Sequence, residues 1–260
     1  MCLIAVAWKV HADYPLIVAA NRDEWHDRPA APAAWWSDHP NVLAGRDLKA
    51  GGTWLGVTRN GRFAALTNFR DPSDRNTDAP SRGQLVSDYL IGTMSAREYL
   101  LDLRERAGKY QGFNLLAGDM NSLHYFSSRI GEIIKVPPGV HALSNHTLNE
   151  PWPKVEKTRS ALGEALQGKM PWKARQVAIY AILSDTTPAP DDALPDTGVG
   201  LEWERVLSPA MIIGEKYGTR CSTVVCVSCT GVVVFEEKTR DAIGEVTHIA
   251  THSFALAGAS

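Results

Sequence analysis

Residues 51–70, GGTWLGVTRNGRFAALTNFR, constrain the fold more than any other stretch, because they describe a β-hairpin by themselves. Two apolar runs flank Asn60-Gly61, a dipeptide that supplies the positive φ angles of a two-residue turn. The N-terminus has the same pattern, since HADY joins the apolar runs CLIAVAWKV and PLIVAAN. Hairpins pair consecutive strands antiparallel, so the sequence predicts antiparallel sheets.

Helices are predicted in the middle of the chain. Ser81 with Gln84, and Ser95 with Glu98, have capping-box spacing at the start of RGQLVSDYL and AREYLLDLRERAG. Pro153 suits the first turn of a helix in PKVEKTRSALGEAL, and KARQVAIYAILSD predicts another helix. Strands return in TRCSTVVCVS, VVVFEEKT and EVTHIATHSFAL. This order predicts an α+β protein whose helices cover mainly antiparallel sheets.

Composition indicates an ordinary globular protein, with 44% hydrophobic and 22% charged residues. The net charge of -2 gives no attraction to nucleic acid or anionic lipid. The Pro- and Asp-rich stretch 186–198 is too short to separate two domains, so residues 1–260 are predicted to form one domain.

Cysteine content and apolar patterning indicate the compartment. Four cysteines are too few for a disulfide framework in a chain of 260 residues, which favours a reducing environment. No apolar run is long enough for a membrane span. The apolar N-terminus lacks the basic residues and the cleavage site of a signal peptide. We therefore expect a cytoplasmic protein.

The second residue is the first candidate for chemistry. Removal of Met1 would leave Cys2 with both a thiol and a free α-amine, whose ordinary pKa of about 7.7–8.0 suits it to accept the thiol proton. Nucleophile and base would then belong to one residue. The alternative is that Cys2 is a small apolar residue at the start of a buried strand.

Polar residues collect where apolar strands end. NRDEW puts an amide, a guanidinium and two carboxylates after the second apolar run, within reach of Cys2 if the first two strands pair. Asn68, Asn145 and Arg220 stand at other strand ends. An asparagine amide that donates to an oxyanion contributes about 3 kcal/mol to catalysis. The alternatives are a surface salt-bridge cluster and ordinary turn residues.

These motifs carry a resemblance to a known family. The opening Cys2 and the blocks AANRDEW, GGTWLGVTRNGRFAALTN, SRGQLV, ALSNHTLNEPWPKV and YGTRCSTVV resemble the NRDE family, also called the transport and Golgi organisation two family. The blocks are spread over nearly the whole chain. The resemblance implies an N-terminal-nucleophile-hydrolase fold, an αββα sandwich of two mainly antiparallel sheets flanked by helices.

The resemblance also implies more distant relatives among bile-salt hydrolases, penicillin V acylases and acid-ceramidase-like amidases. Those enzymes use an N-terminal cysteine, an early arginine and aspartate, two asparagines and a late arginine. By similarity, Cys2 matches the nucleophile, Asn145 one asparagine and Arg220 the late arginine, while Asn68 is a weaker match to the other asparagine.

The early pair departs from the amidase pattern. Those enzymes show Arg-x-x-Asp before an aromatic residue, whereas the same frame here holds Asn21 and Glu24 before Trp25. A shift of one position gives Arg22 and Asp23, which are adjacent. Adjacent strand residues point to opposite faces, so one of the two is expected to serve the site.

Two functions are expected. The first is hydrolysis of a linear amide or thioester by Cys2 after Met1 is removed. The second is a non-catalytic carrier of haem or a lipid metabolite, with Cys2, His141 or His146 as axial ligands. A purely structural role in trafficking is a third possibility. The residues predicted to be catalytic are Cys2, Arg22, Asp23, Glu24, Asn145 and Arg220, and those predicted to bind substrate are Asn21, Trp54, Asn68 and His146.

The sequence does not predict a metal site. CVSC at 226–229 has zinc or redox spacing, but no second cysteine pair accompanies it. We expect a small-molecule substrate or ligand and no resident cofactor, with haem as a possible ligand. The oligomeric state is left open.

Overall fold

Two β-sheets form the centre of the computed structural model, which describes residues 2–74 and 78–257. The strands are β1 Cys2–Trp8, β2 Leu16–Trp25, β3 Ala30–Trp35, β4 Val42–Asp47, β5 Leu55–Thr58, β6 Phe63–Asn68, β7 Phe113–Gly118, β8 Leu123–Ser127, β9 Ile133–Lys135, β10 Gly139–Leu143, β11 Tyr217–Val227, β12 Val232–Arg240 and β13 Val246–Ala255. The first sheet has the order β10-β1-β2-β11-β12-β13, and the second runs from β3 to β9 in chain order. Every pairing between the described strands is antiparallel.

Helices cover the outer face of each sheet. The described α-helices are α1 Gly83–Ile91, α2 Ala96–Arg106, α3 Pro153–Ala165, α4 Trp172–Leu183 and α5 Leu201–Val206. The α1 and α2 helices pack on the second sheet, and α3 and α4 pack on the first. These four layers confirm the predicted αββα sandwich.

Alternation along β1 shows how the sequence builds these layers. Ile4 and Val6 enter the core between the two sheets, while Leu3 and Ala5 enter the core beneath α3 and α4. Both faces of β1 are therefore apolar, as expected for a strand between two hydrophobic cores. Cys2 follows the parity of Ile4 and lies on the inner face.

The hairpin between β5 and β6 is confirmed, but its turn is not the predicted two-residue type. Thr58 N donates to Arg62 O at 2.9 Å, which leaves a loop of three residues, 59–61. Gly61 has φ of 82°, whereas Asn60 has no positive φ. A three-residue loop needs one left-handed residue, at its end, and glycine supplies it.

One of the two predicted capping boxes forms. Glu98 N donates to Ser95 Oγ at 3.3 Å, and Ser95 N donates to Glu98 Oε2 at 3.0 Å. The box at Ser81 is wrong: Ser81 Oγ accepts from Gly83 N at 3.3 Å, and α1 begins at Gly83 without a side-chain cap. The short local hydrogen bond takes the place of the one to residue 84. Within the described residues, no helix is both long and apolar enough to cross a bilayer.

Candidate active site

A cavity of about 430 Å³ opens between the two sheets, where β1 begins and β2 and β6 end. It brings together seven of the ten predicted site residues. These are Cys2, Arg22, Asp23, Glu24, Trp54, Asn68 and Arg220. Asn21, Asn145 and His146 do not line it.

Strand register decides which residue of the NRDE motif faces Cys2. Arg22 is the cross-strand partner of Cys2, and Asn21 is the partner of Leu3. Asn21 therefore lies on the outer face, where its Nδ2 donates to Leu183 O and Ala210 O, both at 2.8 Å. Its amide joins β2 to the backbone at the end of α4 and at Ala210, and it does not line the cavity.

Arg22 and Asp23 both border the cavity, but only Arg22 is the cross-strand partner of Cys2. On the other side of β2, Asp23 is the cross-strand partner of Thr219 in β11. Thr219 Oγ1 donates to Asp23 Oδ1 at 2.7 Å and fixes the carboxyl group.

The surroundings of the Cys2 thiol hold it in the protonated form. Burial raises the pKa of Cys2, the negative charge of Asp23 acts in the same direction, and the cation of Arg22 opposes both. A thiol in this setting needs a base to become a nucleophile.

A buried amine lies behind Asp23. Lys154 on α3 is 5% exposed, and its Nζ donates to Leu207 O at 2.7 Å. Burial lowers the pKa of Lys154 to about 8, against the attraction of Asp23. Burial likewise raises the pKa of Asp23, and Lys154 opposes that rise.

Lys154 gives a prediction for the pH dependence of stability. The folded protein loses this proton near pH 8, whereas the unfolded chain keeps it to about pH 10.4. Between these values the unfolded chain binds more protons than the folded protein. The titration of Lys154 therefore makes the free energy of unfolding increase with pH in this range. Lys154→Met is expected to remove this increase of the unfolding free energy with pH, which urea unfolding from about pH 8 to about pH 10 measures.

The control for this prediction is Lys157→Met. Lys157 belongs to the same helix, but its side chain is 61% exposed and pairs with Asp185. Equal slopes of unfolding free energy against pH in the two variants would contradict the prediction.

The two asparagines of the predicted oxyanion site have different positions. Asn145 is fully buried, and its Nδ2 donates to Asn68 O at 2.9 Å. Ser144 beside it donates to Cys2 O at 3.2 Å. The side chain of Asn68 lines the cavity and has no hydrogen bond among the described residues. The Asn68 amide can therefore donate a hydrogen bond to a ligand in the cavity. Asn145 holds the backbone of Asn68 in place.

A β-bulge in β11 sets the position of Arg220. The register of β11 against β2 shifts between Thr219 and Cys221, so Arg220 has no partner in the ladder. Its Nη1 donates to Trp25 O at 2.7 Å and to Arg28 O at 3.0 Å. Bulges redirect side chains beside active sites, and this one turns Arg220 into the cavity wall.

Several lining residues were not predicted from the sequence. Among them are Arg82, Cys221 and Glu237. Glu237 accepts from Ala33 N at 2.8 Å, and burial raises its pKa. Cys221 pairs with Arg22 in the first sheet, as Cys2 does on the other side. Strand alternation combined with the correct register would have found Cys221.

The histidines lie outside the cavity. His146 Nδ1 is 2.7 Å from Glu150 Oε2, and its ring packs against Phe69 and Trp152. His141 Nε2 is 2.9 Å from Pro137 O. Of the three residues suggested as haem ligands, Cys2 alone lines the cavity, so the cavity offers no pair of axial ligands from this set. Haem binding stays a prediction.

The fold has a counterpart among solved structures. The mutant C2A conjugated bile acid hydrolase from Clostridium perfringens superposes with a TM-score of 0.52 at 8% sequence identity, over 97% of this chain and 92% of that chain. The architecture is that of the N-terminal-nucleophile hydrolases: two antiparallel sheets between helices, here with Cys2 at the start of β1.

Sequence comparison then identifies the family. The model of Transport and Golgi organisation 2 matches residues 1–242. The Transport and Golgi organization protein 2 homologues of Bos taurus and Homo sapiens are 37% and 34% identical, and each alignment covers 86% of this chain and 86% of the relative. The chain belongs to the transport and Golgi organisation 2 family, as its motifs indicated.

Proposed function

We propose that this protein is an N-terminal-cysteine amidohydrolase that cleaves linear amide or thioester bonds in the cavity between its two sheets. One observation carries the proposal. Cys2, Arg22, Asp23, Asn68 and Arg220 come from four different strands or strand ends, yet all line one cavity of about 430 Å³. A cavity of this size is within the range of small-molecule sites.

The first half-reaction needs a free α-amine on Cys2. Met1, whose removal this requires, lies outside the described residues. The amine accepts the thiol proton, and sulfur attacks the substrate carbonyl to form a tetrahedral intermediate. The Asn68 amide donates to the oxyanion. Collapse breaks the C–N or C–S bond, and the ammonium returns the proton to the leaving group.

Water completes the cycle. The α-amine takes a proton from a water molecule while the oxygen of that water attacks the thioester of the acyl-enzyme. Collapse of the tetrahedral intermediate releases a carboxylic acid, and the ammonium returns the proton to the sulfur to regenerate the thiol. The charge of the Asp23 carboxylate, which already acts on the Cys2 thiol, also favours the ammonium form of the amine. Arg22 and Arg220 orient the substrate, and Trp54 provides an apolar wall.

The proposal is tested by intact-protein mass before and after reaction with a small thiol-acylating probe. We expect the mass of the mature protein to lack Met1, and one acyl group to attach rapidly to Cys2. Peptide mapping locates the label. The matched variants are Cys2→Ala, which should lose the fast label, and Cys229→Ala, which removes an exposed thiol and should keep it.

Either of two results would contradict the proposal. A retained Met1 would leave no amine base on Cys2. Labelling of Cys229 at the same rate as Cys2 would mean that Cys2 is not activated. The carrier function would then be tested first, by titration with haemin and with lipid metabolites.

A further inference from the structure

The wall of the cavity carries more cations than carboxyl groups. Six basic side chains line it, against the carboxyl groups of Asp23, Glu24, Asp47 and Glu237. The six are Arg22, Arg28, Arg46, Lys49, Arg82 and Arg220. The cavity is therefore suited to a ligand that brings negative charge.

Some of these arginines already have carboxylate partners. Arg46 forms a two-pronged ion pair with Asp38, with distances of 2.6 and 2.7 Å. Arg28 Nε lies 2.6 Å from Asp47 Oδ2, and Arg22 Nη2 lies 3.7 Å from the same oxygen. Glu24 Oε2 lies 3.9 Å from Arg22 Nη2 and 4.0 Å from Arg28 Nε. The three carboxylates together compensate the charges of these three guanidinium groups.

Arg82 and Arg220 differ from them. In the part of the chain that the structure describes, neither forms an ion pair within 4.0 Å, and carboxylates that act on them, Asp74 and Glu24 on Arg82 and Glu24 on Arg220, do so from farther away. Their recorded hydrogen bonds go to backbone carbonyls, from Arg82 Nη1 to Gly112 O at 3.0 Å and from Arg220 to two carbonyls at and after the end of β2. Burial lowers the pKa of both groups, so each holds its charge at a cost.

Arg82 has donors to spare in the cavity. A guanidinium has five N–H groups in a planar fork that matches carboxylate and phosphate oxygens. One nitrogen of Arg82 is used by Gly112 O. Arg82 also stands at the start of α1, and Ser81 and Gly83 beside it line the cavity too. The partial positive charge of the helix N-terminus therefore acts at the same place.

We propose that the cavity takes an acyl substrate that carries an oxyanion, either a carboxylate or a phosphate monoester, and that Arg82 binds this group. The inference rests on the proposed function, because it concerns the substrate of the same site. Arg82 is then a specificity-determining residue. It selects an anionic substrate and takes no part in bond cleavage.

The test compares two alkylating reagents that differ in charge. Iodoacetate and iodoacetamide react with the same thiolate, so the ratio of their rate constants at Cys2 is independent of the pKa of the thiol. The ratio is divided by that for glutathione. We expect the normalised ratio to exceed one in the wild type and to fall at least about fivefold in Arg82→Gln. Arg82→Lys should recover part of it, because the charge remains.

Arg46→Gln is the matched control. It removes a cation from the same cavity wall, but one that Asp38 already compensates. The ratio should stay within about twofold of the wild type. An unchanged ratio in Arg82→Gln would overturn the proposal, because it would mean that Arg82 does not bind the anionic group. An equal fall of the ratio in Arg46→Gln would also overturn it, because any cation of the cavity wall would then have the same effect.

Melting temperatures provide a second measurement and identify the anion. Glutarate and glycerol 3-phosphate are compared with neutral glutaramide. We expect one of the two anions to raise the melting temperature of the wild type by about 3 °C and to leave Arg82→Gln unchanged. No effect of either anion on the wild type would overturn the anion site. Failure of both reagents to alkylate Cys2 would instead count against the proposed function, while the melting temperatures still judge Arg82.

Discussion

Cys2→Ala is expected to lower the turnover of any amide or thioester substrate by more than about 10⁴-fold, because it removes the nucleophile and leaves only binding and oxyanion stabilisation. The fold should be almost unaffected. Cys2 lies at the first position of β1, and the substitution removes one buried sulfur atom. We expect the melting temperature to fall by no more than about 3 °C. Steady-state kinetics and calorimetry measure the two effects.

Cys226→Ala is the matched control for this variant. Cys226 is buried as Cys2 is, but it lies in the core beneath α3 and α4, away from the cavity. Its replacement should cost a similar amount of stability and no activity. If Cys2→Ala keeps about 10% or more of the wild-type turnover, then Cys2 is not the nucleophile.

The second large effect is expected in Glu204→Gln, which should lower the free energy of unfolding by about 3–5 kcal/mol. Arg70 Nη1 lies 2.5 Å from Glu204 Oε2, and the two side chains are 5% and 3% exposed. Loss of the carboxylate charge leaves the buried Arg70 guanidinium without its ion-pair partner. Glu204 also accepts a hydrogen bond from Thr197 N at 2.9 Å. The neutral amide of glutamine accepts a weaker hydrogen bond than the carboxylate does. Urea unfolding measures the change.

Glu202→Gln tests the same helix without burial. Glu202 pairs with Arg205 on the surface with its side chain 85% exposed, so its loss should cost less than about 1 kcal/mol. A change below about 1 kcal/mol in Glu204→Gln as well would show that the buried pair is not needed. The apolar double variant Arg70→Met with Glu204→Leu should regain much of the stability, because it buries no charge.

The Arg70–Glu204 pair also connects the fold to the site. Arg70 follows Asn68 by two residues, and Arg70 N donates to Asn145 O at 2.7 Å. Asn145 in turn donates to Asn68 O. We therefore expect Glu204→Gln to reduce turnover at temperatures where the protein is still folded, through displacement of Asn68.

Local patterns in the sequence were enough for most of the secondary structure. The β1–β2 and β5–β6 hairpins, the capping box at Ser95 and the helix that begins at Pro153 depend on residues close together in the chain. The short strands β3 and β4 were not predicted. Their burial alternates weakly, and a register shift interrupts their pairing, so neither has a period-two pattern.

By itself, the sequence determined the antiparallel hairpins and the presence of Cys2 at the start of a buried strand, because apolar periodicity and turn residues act locally. Its motifs also carried the family resemblance, and that resemblance implied the sandwich. Only the tertiary structure decided which polar residues share the cavity. The register of β1 against β2 places Arg22 opposite Cys2, and the bulge at Arg220 changes the parity of β11. Arg82 arrives from the start of α1, far away in the chain. Strand register, bulges and contacts between distant segments depend on the whole fold, so no local pattern contains them.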